Sequence, residues 1–138
     1  MICPICKNLF TLSQHAVAVT GTPDDLQTAQ NLADTLRAHA DECIGMAANM
    51  IGVNKRIIAA GLGASPIIML NPVIRAKSGE FDTEEGCLSL TGTRPVKRYR
   101  QITVSWQDTA LQRHERKFSG LLAQVIQHEC DHLDGIII

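Results

Sequence analysis

Long apolar runs are absent from this sequence of 138 residues. No stretch reaches the roughly 20 consecutive apolar residues that a bilayer-spanning helix requires. The first residues, MICPICKNLF, also lack the charged start and the extended apolar core of a secretory signal. We therefore expect a soluble, cytoplasmic protein without a membrane partner.

The sequence also lacks an excess of charge of either sign. The 13 Lys and Arg residues nearly balance 14 Asp and Glu residues, and the net charge is −1. Both signs are intermixed, so we expect no basic surface for nucleic acid. With 45% hydrophobic residues and no repeat, linker or low-complexity tract, the length predicts one domain over residues 1–138.

Cysteines are too few and too scattered for a disulfide scaffold. The 5 cysteines lie at positions 3, 6, 43, 87 and 130, so we expect reduced thiols or metal ligands. Cys3 and Cys6 form a CxxC pair, but the sequence has no second pair to complete a four-ligand zinc site. We interpret them as small apolar residues of an N-terminal strand, with a redox or metal role as the weaker alternative.

Two helices are predicted from capping signals and apolar spacing. Thr22 suits the N-cap of the first helix and Pro23 its first turn, and apolar residues then recur at steps of three and four over 23–40. The second helix spans 119–133, and Gly135 is placed to end it.

Short segments rich in β-branched or aromatic residues lie between these helices, bounded by Gly, Pro or Asn. The predicted strands cover 56–60, 67–70, 73–76, 79–82 and 102–106, and a hairpin connects the last of them to 115–118. The order of helix, strands and helix predicts an α+β fold. In it, mixed or antiparallel strands pack around a central C-terminal helix, and one N-terminal helix is added.

The strongest chemical signal is the run His128-Glu129-Cys130-Asp131-His132 on the second helix. At about 100° per residue, the two histidines lie about 40° apart on one face, so one metal ion can meet both imidazoles. Glu129 then lies beside the ion without being forced to bind it, as a base acting on water requires. A chance HExxH on an exposed face is the alternative, but the histidines lie next to the apolar stripe, which favours a buried metal site.

A catalytic metal site of this kind uses three protein ligands and leaves a fourth position for water. Cys87 is a candidate for the third ligand, since Gly86 beside it lets the backbone approach the ion. Cys43 lies in a glycine-rich segment and is not excluded by geometry. Cys130 points about 160° away from His132 on the same helix, so it cannot share the ion.

Three segments follow one another along the chain: CIGMAANM at 43–50, EGCLS at 85–89 and HECDH at 128–132. Together they resemble the peptide deformylase family, whose pattern is GxGxAAxQ, EGCLS and HExxH in this order. The second and third segments match fully, and the extended run QHECDHLDG is also similar to the family's helix. The resemblance covers nearly the whole chain in order and spacing.

By this resemblance, Cys87, His128 and His132 would bind one divalent metal ion, and Glu129 would be the general acid/base. The family's ion is Fe²⁺, and Zn²⁺, Ni²⁺ or Co²⁺ can occupy the same ligands. The implied reaction removes the formyl group from the N-terminal formylmethionine of newly made polypeptides, by attack of metal-bound hydroxide. The resemblance assigns the developing oxyanion to the backbone N–H of Leu88 and to the glutamine of the first segment.

The first segment departs from the family pattern at both ends. Met50 replaces the glutamine, and its thioether cannot donate a hydrogen bond to the oxyanion. Asn49 on a shifted loop, or a water, would have to supply that hydrogen bond. Alternatively, Met50 packs beside the ion while Leu88 and the ion hold the oxyanion. Cys43 replaces the first glycine. We expect activity to be retained, because the ligands and Glu129 are intact.

The expected surroundings of the substrate come from positions in and near the matching segments. The residues are Ile44, Gly45, Asn49, Met50, Gly86, Leu121 and Val125, with Gln124 in the same region. Leu121 and Val125 are equally well explained as core residues.

Two arginines and the tryptophan carry weaker predictions. Arg94 and Arg98 are candidates to bind the substrate backbone or to pair with Glu42, and a solvated position is an equal alternative. We expect Trp106 in the core.

Two other functions fit parts of the sequence. An HExxH peptidase would usually take its third ligand from a later His or Glu, and only the short run LDGIII follows His132, so Cys87 favours the deformylase. A metal-binding protein that has lost turnover is the other alternative, because of Met50.

For the enzyme, the expected partners are N-formylmethionyl peptides, met at the ribosome. The sequence ends at Ile138 without the longer C-terminal extension of many family members, so docking on the ribosome through one is not expected. The sequence predicts no oligomeric state.

Overall fold

A computed structural model describes residues 1–61, 65–87 and 90–136. Its helices are α1 (Leu9–Leu12), α2 (Pro23–Ala38) and α3 (Gly120–Leu133). The two predicted helices are confirmed apart from their end residues, whereas α1 was not predicted. None of the helices in these ranges is long and apolar enough to cross a membrane.

Helix α2 begins where its capping residues predict. The Thr22 hydroxyl accepts a hydrogen bond from the backbone N–H of Asp25, and the Asp25 carboxylate accepts one from the backbone N–H of Thr22, both at 3.1 Å. Pro23 occupies the first turn, where its missing N–H has no intrahelical partner to lose. Lys55 Nζ lies 2.7 Å from the same carboxylate and connects the helix start to the rest of the fold.

The strands form an antiparallel sheet in the order β1-β2-β3-β4-β5. Their bounds are Gly45–Ala47 (β1), Ile57–Ala60 (β2), Ile67–Cys87 (β3), Leu90–Gln107 (β4) and Arg113–Ser119 (β5). A 3-10 helix over Ala48–Ile51 follows β1. Every pairing between these strands is antiparallel, which confirms the antiparallel form of the predicted α+β fold.

Strand β3 is much longer than any predicted strand. It joins three of the predicted strands and continues to Cys87. Asn71, with φ of 50°, and Pro72 interrupt the sequence pattern, but the ladder passes them through a register shift between Leu70 and Val73. From Val73 to Glu84, β3 is largely exposed and its apolar residues do not alternate, so periodicity does not show that the predicted strands 73–76 and 79–82 belong to one continuous strand.

The start of the sheet is covered by a helix on each face. Ala47 and Ile58 pack in the same buried cluster as residues of α3, whereas Met46 and Ala59 pack with α2. Neighbouring residues of a strand point to opposite faces, so α2 and α3 lie on opposite sides of β1 and β2. The predicted packing of the sheet against the C-terminal helix is confirmed, and Trp106 lies in the α3 cluster as expected.

The strand predicted around Cys3 and Cys6 is wrong. Residues 1–8 have no regular secondary structure, because their backbone N–H groups bond outside any ladder. The N–H of Cys3 donates to the Thr35 hydroxyl at 2.9 Å, and the N–H of Cys6 donates to the Met50 carbonyl at 2.7 Å. The N-terminal segment therefore packs against α2 and the 3-10 helix, with both thiols half-buried.

Candidate metal centre

Helix α3 directs His128 and His132 to one point. Both side chains are buried, and their Nε2 atoms approach to 2.9 Å. Cys87 reaches the same point from the end of β3. One potential ligand atom from each of the three residues lies within 4.8 Å of the others. The structure thus brings together the three residues that the sequence named as ligands.

The donor set fits a divalent transition metal. A thiolate and two imidazole nitrogens suit Fe²⁺, Zn²⁺, Co²⁺ and Ni²⁺ better than Mg²⁺ or Ca²⁺, which prefer oxygen. The Nε2 atoms of the two imidazoles converge on one point, so a single ion could meet both. Three protein ligands leave a position for water or substrate, as in catalytic sites.

A cavity of ≈ 240 Å³ opens beside these residues, between the start of β1, the end of β3 and α3. Of the residues predicted around the substrate, those that line it are Ile44, Gly45, Met50, Gly86, Leu121 and Val125. Gln124, which was placed in the same region, lines it as well. The other described residues of the lining are Glu42, Cys43, Glu85, Cys87, His128 and Glu129. Leu121 is 57% exposed and so belongs to the cavity rather than to the core, whereas Val125 belongs to both.

Two further cysteines lie near this region but outside the ligand group. Cys43 lines the cavity, and burial together with the charge of Glu129 raises its pKa to about 11. Cys130 is buried in the core, and burial raises its pKa to about 12. Both thiols are therefore protonated near neutral pH, which disfavours metal binding. Among the described residues, the group that could hold an ion contains Cys87 and not Cys43.

Glu85 sets the orientation of His128. Its Oε1 lies 2.7 Å from His128 Nδ1, and because a carboxylate only accepts, the ring donates there and leaves Nε2 free to bind an ion. Arg98 donates to both oxygens of Glu85 at 2.7 to 3.0 Å, and Gln124 donates to Oε2 at 2.8 Å. Burial alone would raise the pKa of Glu85, but these hydrogen bonds lower it to about 2.

Arg98 is held by acidic partners inside the protein. It is 4% exposed, and it contacts Asp131 at 2.7 Å as well as Glu85. The predicted pairing of Arg98 with Glu42 is wrong, because these two carboxylates already bind its guanidinium group. Arg94 donates to a backbone carbonyl at 3.1 Å, and neither arginine is among the described residues that line the cavity.

Glu129 is buried beside the proposed ligands. It is 4% exposed, and its Oε1 has no hydrogen-bond partner within the described part of the chain. Burial raises its pKa to about 7, although the charge of His128 acts in the opposite direction. A carboxyl group that changes its protonation state near neutral pH is suited to accept and return a proton.

The two imidazoles differ in their electrostatic surroundings. Burial would lower the pKa of His128, but hydrogen bonds to Cys87 and Glu85 raise it to about 10. Burial and the charge of His128 lower the pKa of His132 to about 3. An imidazole must be neutral to bind a metal, so a proton leaves His128 when an ion binds.

Met50 lines the cavity and is 2% exposed, and its Sδ accepts a weak hydrogen bond from the N–H of Ala47 at 3.5 Å. Asn49 does not supply the missing donor, because its Nδ2 donates to the backbone oxygen of His132 at 2.8 Å. The prediction that Asn49 contacts substrate is therefore not supported: the 3-10 helix turns its side chain toward α3.

Leu88, the predicted oxyanion donor, lies outside the described residues.

Sequence reasoning gave no role to Glu85, although a signal was present. Glu85 stands two residues before Cys87 on β3, and alternation along a strand points both side chains to the same side. A carboxylate at that position could have been expected to bond a histidine ligand. Asp131 and Arg98 join the network through contacts that no local pattern indicates.

Comparison with known proteins gives a consistent result. The family model described as polypeptide deformylase matches residues 3–138. The peptide deformylase of Clostridium beijerinckii is 46% identical over 138 residues, with 100% of both chains covered. The crystal structure of the peptide deformylase from Thermotoga maritima aligns with a TM-score of 0.89 and 28% identity, covering 99% of this chain and 95% of that one. A Met-Ala-Ser-bound class I type b peptide deformylase from Acinetobacter baumannii has a TM-score of 0.89 and 27% identity, with 99% and 97% covered.

The fold and these relationships define a metal-dependent hydrolase that acts on linear amides. More specifically, the chain belongs to the polypeptide deformylase family, whose members act on N-formyl peptides in protein biosynthesis. The family predicted from the three sequence segments and the α+β fold predicted from the order of the elements are thereby confirmed.

Proposed function

We propose that this chain removes the formyl group from the N-terminal formylmethionine of newly made polypeptides. The observation that carries the proposal is the convergence of Cys87, His128 and His132 beside the buried Glu129, whose pKa is about 7. Three ligands and one proton-transfer group are sufficient for metal-assisted hydrolysis of an amide. The reaction consumes one water and yields formate and a free α-amine.

Cys87, His128 and His132 would hold one divalent ion. Fe²⁺ is the ion expected from the family, and Zn²⁺, Ni²⁺ and Co²⁺ suit the same nitrogen and sulfur ligands. When bound, such an ion lowers the pKa of a water and polarises the formyl carbonyl. Glu85 holds His128 in the tautomer that this binding needs.

Glu129 moves the proton in the proposed reaction. Its ionised carboxylate takes a proton from the attacking water, and the neutral acid returns it to the α-amine nitrogen as the C–N bond breaks. Both protonation states are accessible near neutral pH, since burial raises the pKa of Glu129 to about 7. A nearby cation lowers this pKa and so favours the base form at the start of the cycle.

The oxyanion side of the proposed site has one donor fewer than the family pattern. We assign the backbone N–H of Leu88 as one donor, and Met50 offers only a thioether on the cavity wall. Removal of one donor of this kind typically costs about 3 kcal/mol in the transition state. We therefore expect a slower reaction with unchanged chemistry.

The cavity supplies the proposed contacts with the first residue of the substrate. Ile44, Leu121 and Val125 give it apolar walls, and Gly45 and Gly86 allow a peptide backbone to come close. The relative from Acinetobacter baumannii was crystallised with Met-Ala-Ser, a peptide that begins with methionine. We propose the corresponding substrates for this chain, namely nascent polypeptides at the ribosome in the cytoplasm.

A metal-binding protein without turnover is the second candidate function. Met50 favours it, because the cavity lacks the side-chain donor of the family pattern at that position. An HExxH peptidase is no longer a candidate, since the family match is to deformylases and the potential ligand group takes its third member from β3.

The test uses protein purified without oxygen and loaded with Fe²⁺, Ni²⁺ or Co²⁺. Formate release from a formyl-Met tripeptide is measured for the wild type, Glu129→Ala and Met50→Gln, with bound metal quantified in each. For an enzyme, Glu129→Ala abolishes wild-type activity while metal is retained, and Met50→Gln raises kcat by up to about 10²–10³.

Two other outcomes are decisive. Activity found only in Met50→Gln would favour the metal-binding protein. If neither the wild type nor Met50→Gln releases formate although both carry metal, the deformylase proposal is overturned.

A further inference from the structure

The second ring nitrogen of each histidine needs a partner in a well-ordered metal site. An imidazole ligand almost always donates its other N–H to a carboxylate, a carbonyl or a water, which fixes the tautomer and the ring orientation. His128 has such a partner in Glu85. His132 Nδ1 is buried and has no hydrogen-bond partner among the described residues.

Asn49 is already in contact with His132. It is 0% exposed, and its Nδ2 donates to the backbone oxygen of His132 at 2.8 Å. This contact settles the orientation of the amide, because the reverse orientation would place two oxygens against each other. Oδ1 is therefore the free acceptor, and it too is buried without a partner within the described ranges. An unsatisfied donor and an unsatisfied acceptor thus lie on two residues that touch.

The backbone around Asn49 is held in place. The carbonyl of Met50 accepts the N–H of Cys6 at 2.7 Å, and the carbonyl of Asn49 accepts the N–H of Gly52 at 3.1 Å. The 3-10 helix that carries Asn49 therefore has little freedom to shift. Any adjustment that pairs the two unsatisfied atoms falls on the side chains.

We propose that Asn49 is a positioning residue of the metal centre, whose Oδ1 accepts the Nδ1–H of His132 as Glu85 accepts that of His128. The inference rests on the proposed metal site. In this arrangement each imidazole has one polar partner for its Nδ1–H, and both Nε2 lone pairs remain available for the ion. Asn49 would then help to retain the metal, whereas its neighbour Met50 faces the substrate cavity.

A purely structural role predicts different behaviour. In that case Asn49 only satisfies the His132 carbonyl near the end of α3, and its loss destabilises the metal-free protein without a specific effect on metal affinity. Two substitutions separate the two roles. Asn49→Leu removes both the donor and the acceptor, whereas Asn49→Asp removes the donor and keeps an acceptor oxygen.

The experiment measures Zn²⁺ affinity by competition with a chromogenic chelator, and thermal unfolding of each metal-free protein. We expect Asn49→Leu to bind Zn²⁺ about 10- to 100-fold more weakly, Asn49→Asp to stay close to the wild type, and both to be less stable without metal. Gln127→Leu is the matched control. It removes another buried amide of α3, one that bonds the backbone of Tyr99 rather than a ring, and should lower stability but not Zn²⁺ affinity.

A measurement on the wild type does not depend on the folding of any variant. In Zn²⁺-loaded protein with ¹⁵N-labelled histidine, the Nδ1–H of His132 should be visible, protected from exchange and close to the Asn49 side chain in NOE spectra. Unchanged Zn²⁺ affinity in Asn49→Leu, an equal loss in Asn49→Leu and Asn49→Asp, or no NOE between these residues would overturn the inference. None of these readouts uses formate release, so failure of the proposed deformylation is a separate outcome.

Discussion

Glu85 is the residue whose loss should affect both the metal site and the fold. Its side chain is 8% exposed and that of Arg98 is 5% exposed, so the ion pair is buried. Glu85→Gln removes the charge while keeping the size, and leaves Arg98 with an incomplete set of partners. We expect the metal-free protein to lose about 3 kcal/mol of unfolding free energy. Zn²⁺ affinity should fall by at least about 10-fold.

Urea unfolding and chelator competition measure these two effects separately. The double variant Glu85→Gln/Arg98→Met is the control, since it removes both buried charges. It should recover part of the stability but none of the metal affinity, because His128 still lacks its carboxylate partner. Recovery of metal affinity in the double variant would contradict the role given to Glu85.

The residues of the site differed in how far the sequence could predict them. His128, Glu129 and His132 share one helix, so the helical period alone fixes their relative positions. Cys87 needed the family resemblance, because its approach depends on where β3 ends. The contact between Asn49 and His132 joins positions 83 residues apart, and only the packing of the 3-10 helix against α3 creates it.

The approach of β1 to α3 depends on Gly45. A Cβ at this position would overlap Val125 Cγ1 and lie 2.9 Å from Glu129 Oε2. Gly45→Ala should therefore push the strand from the helix and displace Glu129, at a cost of about 1–3 kcal/mol in stability. Chemical unfolding measures this cost, and kcat of the metal-loaded protein should fall at the same time.

Val125→Ala provides the internal control for this prediction, because it removes the methyl group that the new Cβ would meet. The double variant Gly45→Ala/Val125→Ala should be more stable than the sum of the single effects allows, by about 0.5 kcal/mol or more. Strictly additive free energies would show that the two residues do not compete for the same space.

Elements with local signals were predicted well, and those held by distant pairing were not. Helix α2 carries its own cap in Thr22 and Asp25. Helix α1 has a cap in Asn8, but four residues are too few to show an apolar period. Gly79, with φ of 76°, suggested a strand boundary. Strand β3 nevertheless continues through it, because the residues before and after Gly79 pair with β4.

At the scale of the whole molecule, we expect residues 1–138 to unfold as one domain. The buried cluster that contains residues of α2 and the one that contains residues of α3 both include residues of β1 and β2. Neither cluster can therefore become exposed to solvent without disturbing the other face of the same strands. Fluorescence of Trp106 reports the α3 cluster, and far-ultraviolet circular dichroism reports the secondary structure as a whole. Coincident urea transitions by both probes are expected for one cooperative unit, whereas two separated midpoints would indicate independent domains.

Metal binding should make the stability of the molecule depend on pH in a defined direction. Without metal, hydrogen bonds to Cys87 and Glu85 raise the pKa of His128 from 6.5 to about 10. The bound proton therefore stabilises the metal-free fold fully below pH 6.5, and this contribution is lost as the pH rises through about 10. An ion must displace the same proton, so affinity should rise by up to about tenfold for each pH unit in this interval.

Calorimetry at a buffered concentration of free Zn²⁺ tests this dependence across the interval. The difference in Tm between the metal-loaded and metal-free proteins should grow with pH, because tighter binding adds more to the stability of the folded state. The gain comes from one event: as the pH rises, the metal-free protein loses the His128 proton, which lowers its own stability and which the ion then no longer has to displace. Glu85→Gln should flatten the curve, since it removes one of the hydrogen bonds that raise the pKa of His128. A Tm difference that is independent of pH would show that no proton leaves the site when the ion binds.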